Sequence, residues 1–180
     1  LTTLQNIVGP RHYSTAPENL TAVRNYVSNA FNSANLQTEA QNFQFASTTM
    51  QNIIGRKPGA KDESITFIID GHFDGVSGSP AADDNGSAVS GMLEALRILS
   101  QYSFEHSIRF IGFDAEELGL IGSSNYVQTG IKSYEDIQGV LNLEMIGYFS
   151  DQPNSQNLPT GFNILFPALY QEIVNDKIKG

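Results

Sequence analysis

The sequence contains no cysteine. That single absence excludes a disulfide scaffold, a thiolate zinc site, an iron–sulfur cluster and a cysteine nucleophile. It has no uninterrupted apolar stretch of roughly 18 residues or more, so no membrane span is expected. Basic residues are scarce: 10 Lys plus Arg stand against 19 Asp plus Glu, a net charge of −9. Such a surface repels a phosphate backbone, which argues against nucleic acid as a partner. The chain opens Leu1-Thr2-Thr3-Leu4, without methionine and without the basic start and apolar run of a signal peptide; a processed or trimmed chain is expected. No Gly-x-Ser-x-Gly elbow and no phosphate-binding Gly/Lys loop are present, so serine hydrolysis and a nucleotide loop lack support. Asp70, Asp74 and Gly75 superficially fit a calcium loop, but its third position is His72 and its twelfth is Ala81, where a Glu is needed. With 180 residues, 40% of them apolar, the chain is long enough for one core, and a single domain over 1–180 is expected.

The pattern alternates strand and helix. Leu20, Val23, Val27, Phe31 and Ala34 recur at helical spacing after Pro17, predicting a helix from Pro17 to Ala34. Strands are expected from Thr38 to Ala46 and from Met50 to Ile54, with a turn at Arg56-Lys57-Pro58-Gly59. Ile65 to Ile69 is a short, nearly continuous apolar run, as for a strand covered on both faces. Helical spacing then runs from Ala88 to Leu99. Further strands are expected at Ile108 to Phe113 and at Val140 to Leu143, with a short helix from Leu120 to Thr129 between them. A polar loop spans Ser150 to Thr160, a strand is expected at Phe162 to Phe166, and a closing helix at Pro167 to Lys179 with Leu169, Ile173 and Val174 inward. The order implies an α/β fold of three layers, αβα, around a mostly parallel central sheet.

The acids follow the strands. Asp70-Gly71-His72-Phe73-Asp74 and then Asp83-Asp84-Asn85 come after the first core strand, Asp114-Ala115-Glu116-Glu117 after the second, and Glu144 after the third. These blocks hold eight of the 19 acids. In a parallel α/β sheet, ligands bind beyond the carboxyl ends of the strands, so three strand ends deliver acids to one edge. Read singly, each block has a plain explanation: a surface loop, a helix cap, a solvated pair. Glu144 is harder to explain so, because it interrupts an apolar strand. Together they would be costly as bare anions, since like charges drive one another to take up protons and burial adds to the cost. A cation removes that cost. One His among hard oxygen donors, with no Cys, leaves zinc, cobalt or manganese as the plausible ions. Two of them can share an Asp, as in two-metal hydrolysis.

Four blocks carry a family resemblance: Gly71-His72-Phe73-Asp74, Pro80 to Ala88, Ile108 to Ser123 with Glu116-Glu117-Leu118-Gly119, and Asn142 to Tyr148. In these the chain resembles the di-zinc aminopeptidases related to secreted bacterial leucine aminopeptidases. Their wider superfamily includes glutamate carboxypeptidases and glutaminyl cyclases. The resemblance implies two zinc ions, a peptide substrate with a free N-terminus and an extracellular or periplasmic location. It implies His72 as a ligand of one zinc and Asp74 as the carboxylate that orients its ring. Asp84 corresponds to the bridging ligand, with a cis peptide bond to Asn85, and Glu117 to a ligand of the other zinc. Glu116 corresponds to the general base, which takes a proton from water and passes it to the leaving amine. Glu144 falls where the family usually carries an Asp ligand of the first zinc.

The family's second zinc also takes a His from far downstream, beside a Tyr that helps stabilise the oxyanion; this chain ends at Gly180 before either. A zinc-peptidase-like domain incomplete at its C-terminus is therefore expected. His12 and His106 lie in no matching context; His106 precedes a strand and belongs at the opposite edge of the sheet. The expectation is a zinc aminopeptidase. The alternatives are a zinc carboxypeptidase or glutaminyl cyclase-like relative, or an inactive metal-binding domain. A carboxypeptidase calls for a cation near the site, and Arg11, Arg97 and Arg109 are not obviously placed there.

Overall fold

The computed structural model describes residues 2–179. It contains two compact units, residues 1–146 and 147–180. In the first, α1 (Thr2–Ile7) and α2 (Pro17–Ser33) precede strands β1 (Gln37–Phe45), β2 (Thr48–Lys57) and β3 (Asp62–His72). A kinked helical turn (Ala82–Ser87) then runs into α3 (Ala88–Leu99), followed by β4 (His106–Phe113), α4 (Ile121–Thr129) and β5 (Asp136–Asn142). The sheet order is β1-β2-β4-β3-β5. Strands β4, β3 and β5 are parallel, and the antiparallel pair β2 and β1 extends them on one side.

The alternation of side chains along the strands builds a layer on each face. Ile53, Ile69, Ile108 and Phe110 pack with Leu20, Val23, Val27 and Phe31 of α2 and with Val89, Met92, Leu93 and Leu96 of α3. On the other face, Ile54, Ile68, Ile111 and Phe113 pack with Tyr126 of α4. The three-layer α/β arrangement is thus the expected one. Among the described residues, no helix is long and apolar enough to cross a membrane.

Several local expectations are corrected. Strand β3 does not stop at Ile69 but continues through His72, because backbone pairing persists: Asp70 opposes Ile111 and His72 opposes Phe113. Strand β2 likewise runs to Lys57, into the expected turn. The apolar run at Val140 is not buried. Strand β5 pairs only with β3 at the sheet edge, and Val140 and Leu141 are 59% and 56% exposed. An apolar run reads alike in the middle of a sheet and at its rim. Helix α1 has no counterpart in the sequence reading.

In the second unit, the expected strand at Phe162 to Phe166 is instead a short helix, α5 (Phe162–Leu165). Gly161, at φ 84°, starts it. Phe162 and Phe166 meet four residues apart, ring centroids 5.3 Å apart. Helix α6 (Pro167–Asn175) begins with its proline in the first turn, where the missing N–H costs nothing. It ends before Lys179, and Leu169, expected inward, is 48% exposed.

One glycine governs how α4 approaches the strand ends. A Cβ on Gly122 would lie 2.0 Å from the Asp114 carbonyl oxygen and 2.5 Å from Asn52 Oδ1. The Gly122 carbonyl in turn accepts from Asn52 Nδ2 at 2.8 Å. Gly122→Ala is therefore expected to destabilise the protein by about 1–3 kcal/mol, since neither backbone can yield freely. Chemical denaturation checks it; an unchanged midpoint would contradict this packing.

Candidate metal centre

Because β3, β4 and β5 are parallel, their C-terminal ends lie side by side. Strand β3 ends on His72, β4 is followed by Asp114 to Glu117, and β5 is followed by Leu143 and Glu144. The kinked turn supplies Asp84. All six predicted residues, His72, Asp74, Asp84, Glu116, Glu117 and Glu144, come together here.

The buried His72 ring is the hub. Its Nε2 lies 3.2 Å from Asp84 Oδ1, 3.6 Å from Glu144 Oε2 and 3.7 Å from Glu116 Oε2. Its Nδ1 lies 3.2 Å from Asp74 Oδ1. Asp74 does a second job: its two oxygens accept from the backbone N–H groups of Glu116 at 3.0 Å and Glu117 at 3.1 Å. One carboxylate thus ties the imidazole to the turn that carries both glutamates.

Other residues, not singled out by the sequence reading, hold the acids in place. Asn85, fully buried, donates from Nδ2 to Glu144 Oε2 at 2.8 Å and to the Leu143 carbonyl at 3.2 Å. Its Oδ1 accepts from Met145 N–H at 3.1 Å. The Asp84–Asn85 peptide is cis, as the resemblance implied. Asp114 is not in the donor group. It is wholly buried, and its Oδ2 accepts from Arg24 Nη2 at 2.6 Å and from Gln51 N–H at 3.1 Å. Its Oδ1 accepts from Ala115 N–H at 2.9 Å, which shapes the turn into Glu116. Apart from Ala115, these partners lie tens of residues away in sequence, so no local pattern announces them.

The remaining candidates are elsewhere. His106 starts β4, at the end of the sheet opposite the acids, and His12 bonds to its neighbour Ser14. Arg97 pairs with Glu94 on the surface, and Arg109 pairs with Glu135 and Tyr126. Arg11 spends its guanidinium on backbone carbonyls.

The donor set fits a metal ion. A tetrahedral zinc with bonds of about 2.0–2.2 Å holds its donors roughly 3.4 Å apart, which is the spacing of His72 Nε2 to Asp84 and Glu144. Two groupings have donor atoms within 4.8 Å of one another: His72, Asp84 and Glu144, and His72, Glu116 and Glu117. Glu117 Oε1 is buried and has no hydrogen-bond partner among the described residues, the orphaned state a cation would relieve. Electrostatics agree. Burial, reinforced by the charge of Asp84, pushes the Glu117 carboxyl above its ordinary range. Burial does the same to Glu144, with Asp84 and Glu116 adding to it against the opposing pull of His72. For His72, burial works to lower the pKa, but the hydrogen bond and charge of Asp74, with Glu116 and Glu144, outweigh it and raise the ring to about 9.

Among known proteins, the profile of Peptidase family M28 matches residues 52–169. The chain belongs to that family. It is 45% identical over 106 residues to Aminopeptidase YwaD of Bacillus subtilis (strain 168), covering 57% of this chain and 23% of that protein. A solved structure of BSAP, a zinc aminopeptidase from Bacillus subtilis, aligns with a TM-score of 0.53 and 38% identity, over 63% of this chain and 30% of that one. Porphyromonas gingivalis glutaminyl cyclase aligns with a TM-score of 0.72 over 97% of this chain and 67% of that one, at 20% identity, a likeness of fold. The chain spans about a quarter of the length of the curated relatives it matches.

The raised pKa of His72 gives a signed expectation. An ion must displace the ring proton, so apparent zinc affinity should rise with pH by up to about tenfold per unit until about pH 9. Metal-free stability should move the other way. The folded-state pKa lies above the ordinary 6.5, so the ring's contribution is fully present below about 6.5 and lost as pH rises through about 9. Chelator competition and denaturation across that window check both. A flat zinc affinity between pH 6.5 and 9 would contradict the geometry around Nε2.

Proposed function

We propose that this chain carries the catalytic face of a zinc-dependent exopeptidase that removes amino acids from the N-terminus of peptides. The observation that carries this reading is the position of Glu116. Its Oε2 lies 3.7 Å from His72 Nε2, beside the group formed by His72, Asp84 and Glu144 and itself grouped with His72 and Glu117. A carboxylate suited to proton transfer thus stands beside the donors. The likeness to a zinc aminopeptidase at 38% identity supports it.

In this reading His72, Asp84 and Glu144 would hold one ion, and Asp84 and Glu117 would contribute to holding a second. The orphaned Glu117 Oε1 supports the second position. Bound zinc supplies Lewis acidity, polarising the scissile carbonyl and acidifying water. The chain's own residues do the rest. Glu116 accepts a proton from water as the new O–C bond forms. It returns that proton to the amide nitrogen as the C–N bond breaks, leaving an acid and a free amine. Asp74 fixes the ring through Nδ1, which keeps Nε2 as the donor. Through the backbone of residues 116 and 117 it also sets where Glu116 stands.

Carboxylates at the rim attract the substrate's ammonium, so a free N-terminus should be required. A carboxypeptidase would instead need a cation for a carboxylate, and Arg11, Arg97 and Arg109 are all committed to protein partners. The resemblance supports an extracellular or periplasmic location.

The test is hydrolysis of a leucyl arylamide by the zinc-loaded protein. Glu116→Ala should lower kcat roughly 10²–10⁴-fold with zinc content retained, and the N-acetylated substrate should not turn over. Equal turnover of free and acetylated substrates would sink the requirement for an amine. Loss of zinc together with activity in Glu116→Ala would make Glu116 a ligand instead of a base.

A further inference from the structure

The largest wholly buried side chain in the fold is a charged one. Arg11, in the loop between α1 and α2, is 0% exposed. A guanidinium removed from water is costly unless its donors are satisfied. Here backbone carbonyls satisfy them. Nε donates to the Phe73 carbonyl at 2.7 Å, Nη2 to the Ala81 carbonyl at 2.7 Å, and Nη1 to the Ile7 carbonyl at 2.5 Å with a longer contact to Gly9. Among the described residues, no carboxylate hydrogen-bonds to it. Burial pulls its pKa down, and the charges of Asp74 and Asp84 pull it back up.

Two of those carbonyls occupy particular places. Phe73 is the residue between His72 and Asp74, so its carbonyl is fixed between the candidate ligand and the carboxylate that orients it. Ala81 opens the kinked turn that carries Asp84, and its carbonyl also accepts from Gly86 N–H at 3.2 Å. One rigid fork therefore spans the two backbone segments whose side chains meet at 3.2 Å, His72 Nε2 and Asp84 Oδ1. The strut has little slack. A Cβ on Gly86 would lie 2.7 Å from the Ala81 oxygen and 3.6 Å from Arg11 Nη2. Arg11 also lies outside the matched family region, which starts at residue 52.

We propose that Arg11 is a positioning residue of the metal centre: by bridging the Phe73 and Ala81 carbonyls it sets the spacing of His72 and Asp84. The proposal rests on the metal reading above. It differs from a purely structural role, in which Arg11 only fastens the N-terminal segment through Ile7. Lysine keeps the charge but is a point donor, unable to hold two carbonyls in a fixed plane.

The test compares zinc affinity by chelator competition, thermal stability and the visible spectrum of the cobalt(II)-substituted protein. The variants are Arg11→Lys, Gly86→Ala and Leu96→Ala. Arg11→Lys should bind zinc about 10–100-fold more weakly and alter the cobalt bands. Gly86→Ala presses on the same Ala81 carbonyl while leaving the Arg11 side chain itself unaltered, and should weaken zinc in the same direction. Leu96→Ala, a cavity in the buried core in the last turn of α3, the end remote from the kinked turn, should lower the Tm with wild-type zinc affinity and an unchanged spectrum. Arg11→Lys and Gly86→Ala that lose Tm yet bind zinc within twofold of wild type would overturn the proposal and leave Arg11 as a fastener. Should Arg11→Lys fail to fold, the Gly86→Ala result decides in the same way. Wild-type protein that takes up no zinc would overturn the metal reading itself, and this proposal with it.

Discussion

Around one imidazole nitrogen, carboxylate oxygens from three separate segments stand at 3.2, 3.6 and 3.7 Å. Such a group is unstable as bare anions in a partly buried pocket. It has two remedies: protons or a cation. The rise of the His72 ring to about 9, and the upward shift of the Glu117 and Glu144 carboxyls, run in the direction of the first remedy. The orphaned Glu117 oxygen points to the second. Much of the architecture serves to keep this costly group together.

That service is distributed by chain topology. Parallel β3, β4 and β5 bring the acid-bearing ends to one edge. Asp74 then links the end of β3 to the Glu116–Glu117 turn, Asn85 links the kinked turn to Glu144, and Asp114 with Arg24 pins the turn after β4 to α2. The site is thus held by hydrogen-bonded carboxylates and amides, while the apolar layers on either face of the sheet supply the rigid base. Separating the two tasks in this way is what allows exposed, mutually repelling groups to sit on a stable fold.

The layout of the site was legible in the sequence because each acid block follows an apolar run, and the parallel sheet turns that order into proximity. His72, Asp74, Asp84, Glu116, Glu117 and Glu144 all converge for this reason. Helices with clear spacing, such as Pro17–Ser33 and Ala88–Leu99, were equally legible. What failed had a common cause, since local pattern carries no information on distant partners. Val140 and Leu141 look like core residues yet lie on an edge strand, and the short apolar run at Phe162 fits a helical turn as well as a strand. Arg11 and Asn85 were invisible as supports because their bonds cross from 58 to 70 residues of chain.

Membership of Peptidase family M28 and the proposed exopeptidase chemistry both converge on the claim that the carboxylate cluster is a metal centre organised on His72. Anomalous X-ray diffraction from zinc-soaked crystals, recorded on both sides of the zinc edge, tests that claim most directly. The account predicts a peak within about 2.0–2.2 Å of His72 Nε2 and of oxygens from Asp84 and Glu144. Zinc-soaked crystals with no anomalous peak at His72, or with peaks only at other surface acids, would contradict it.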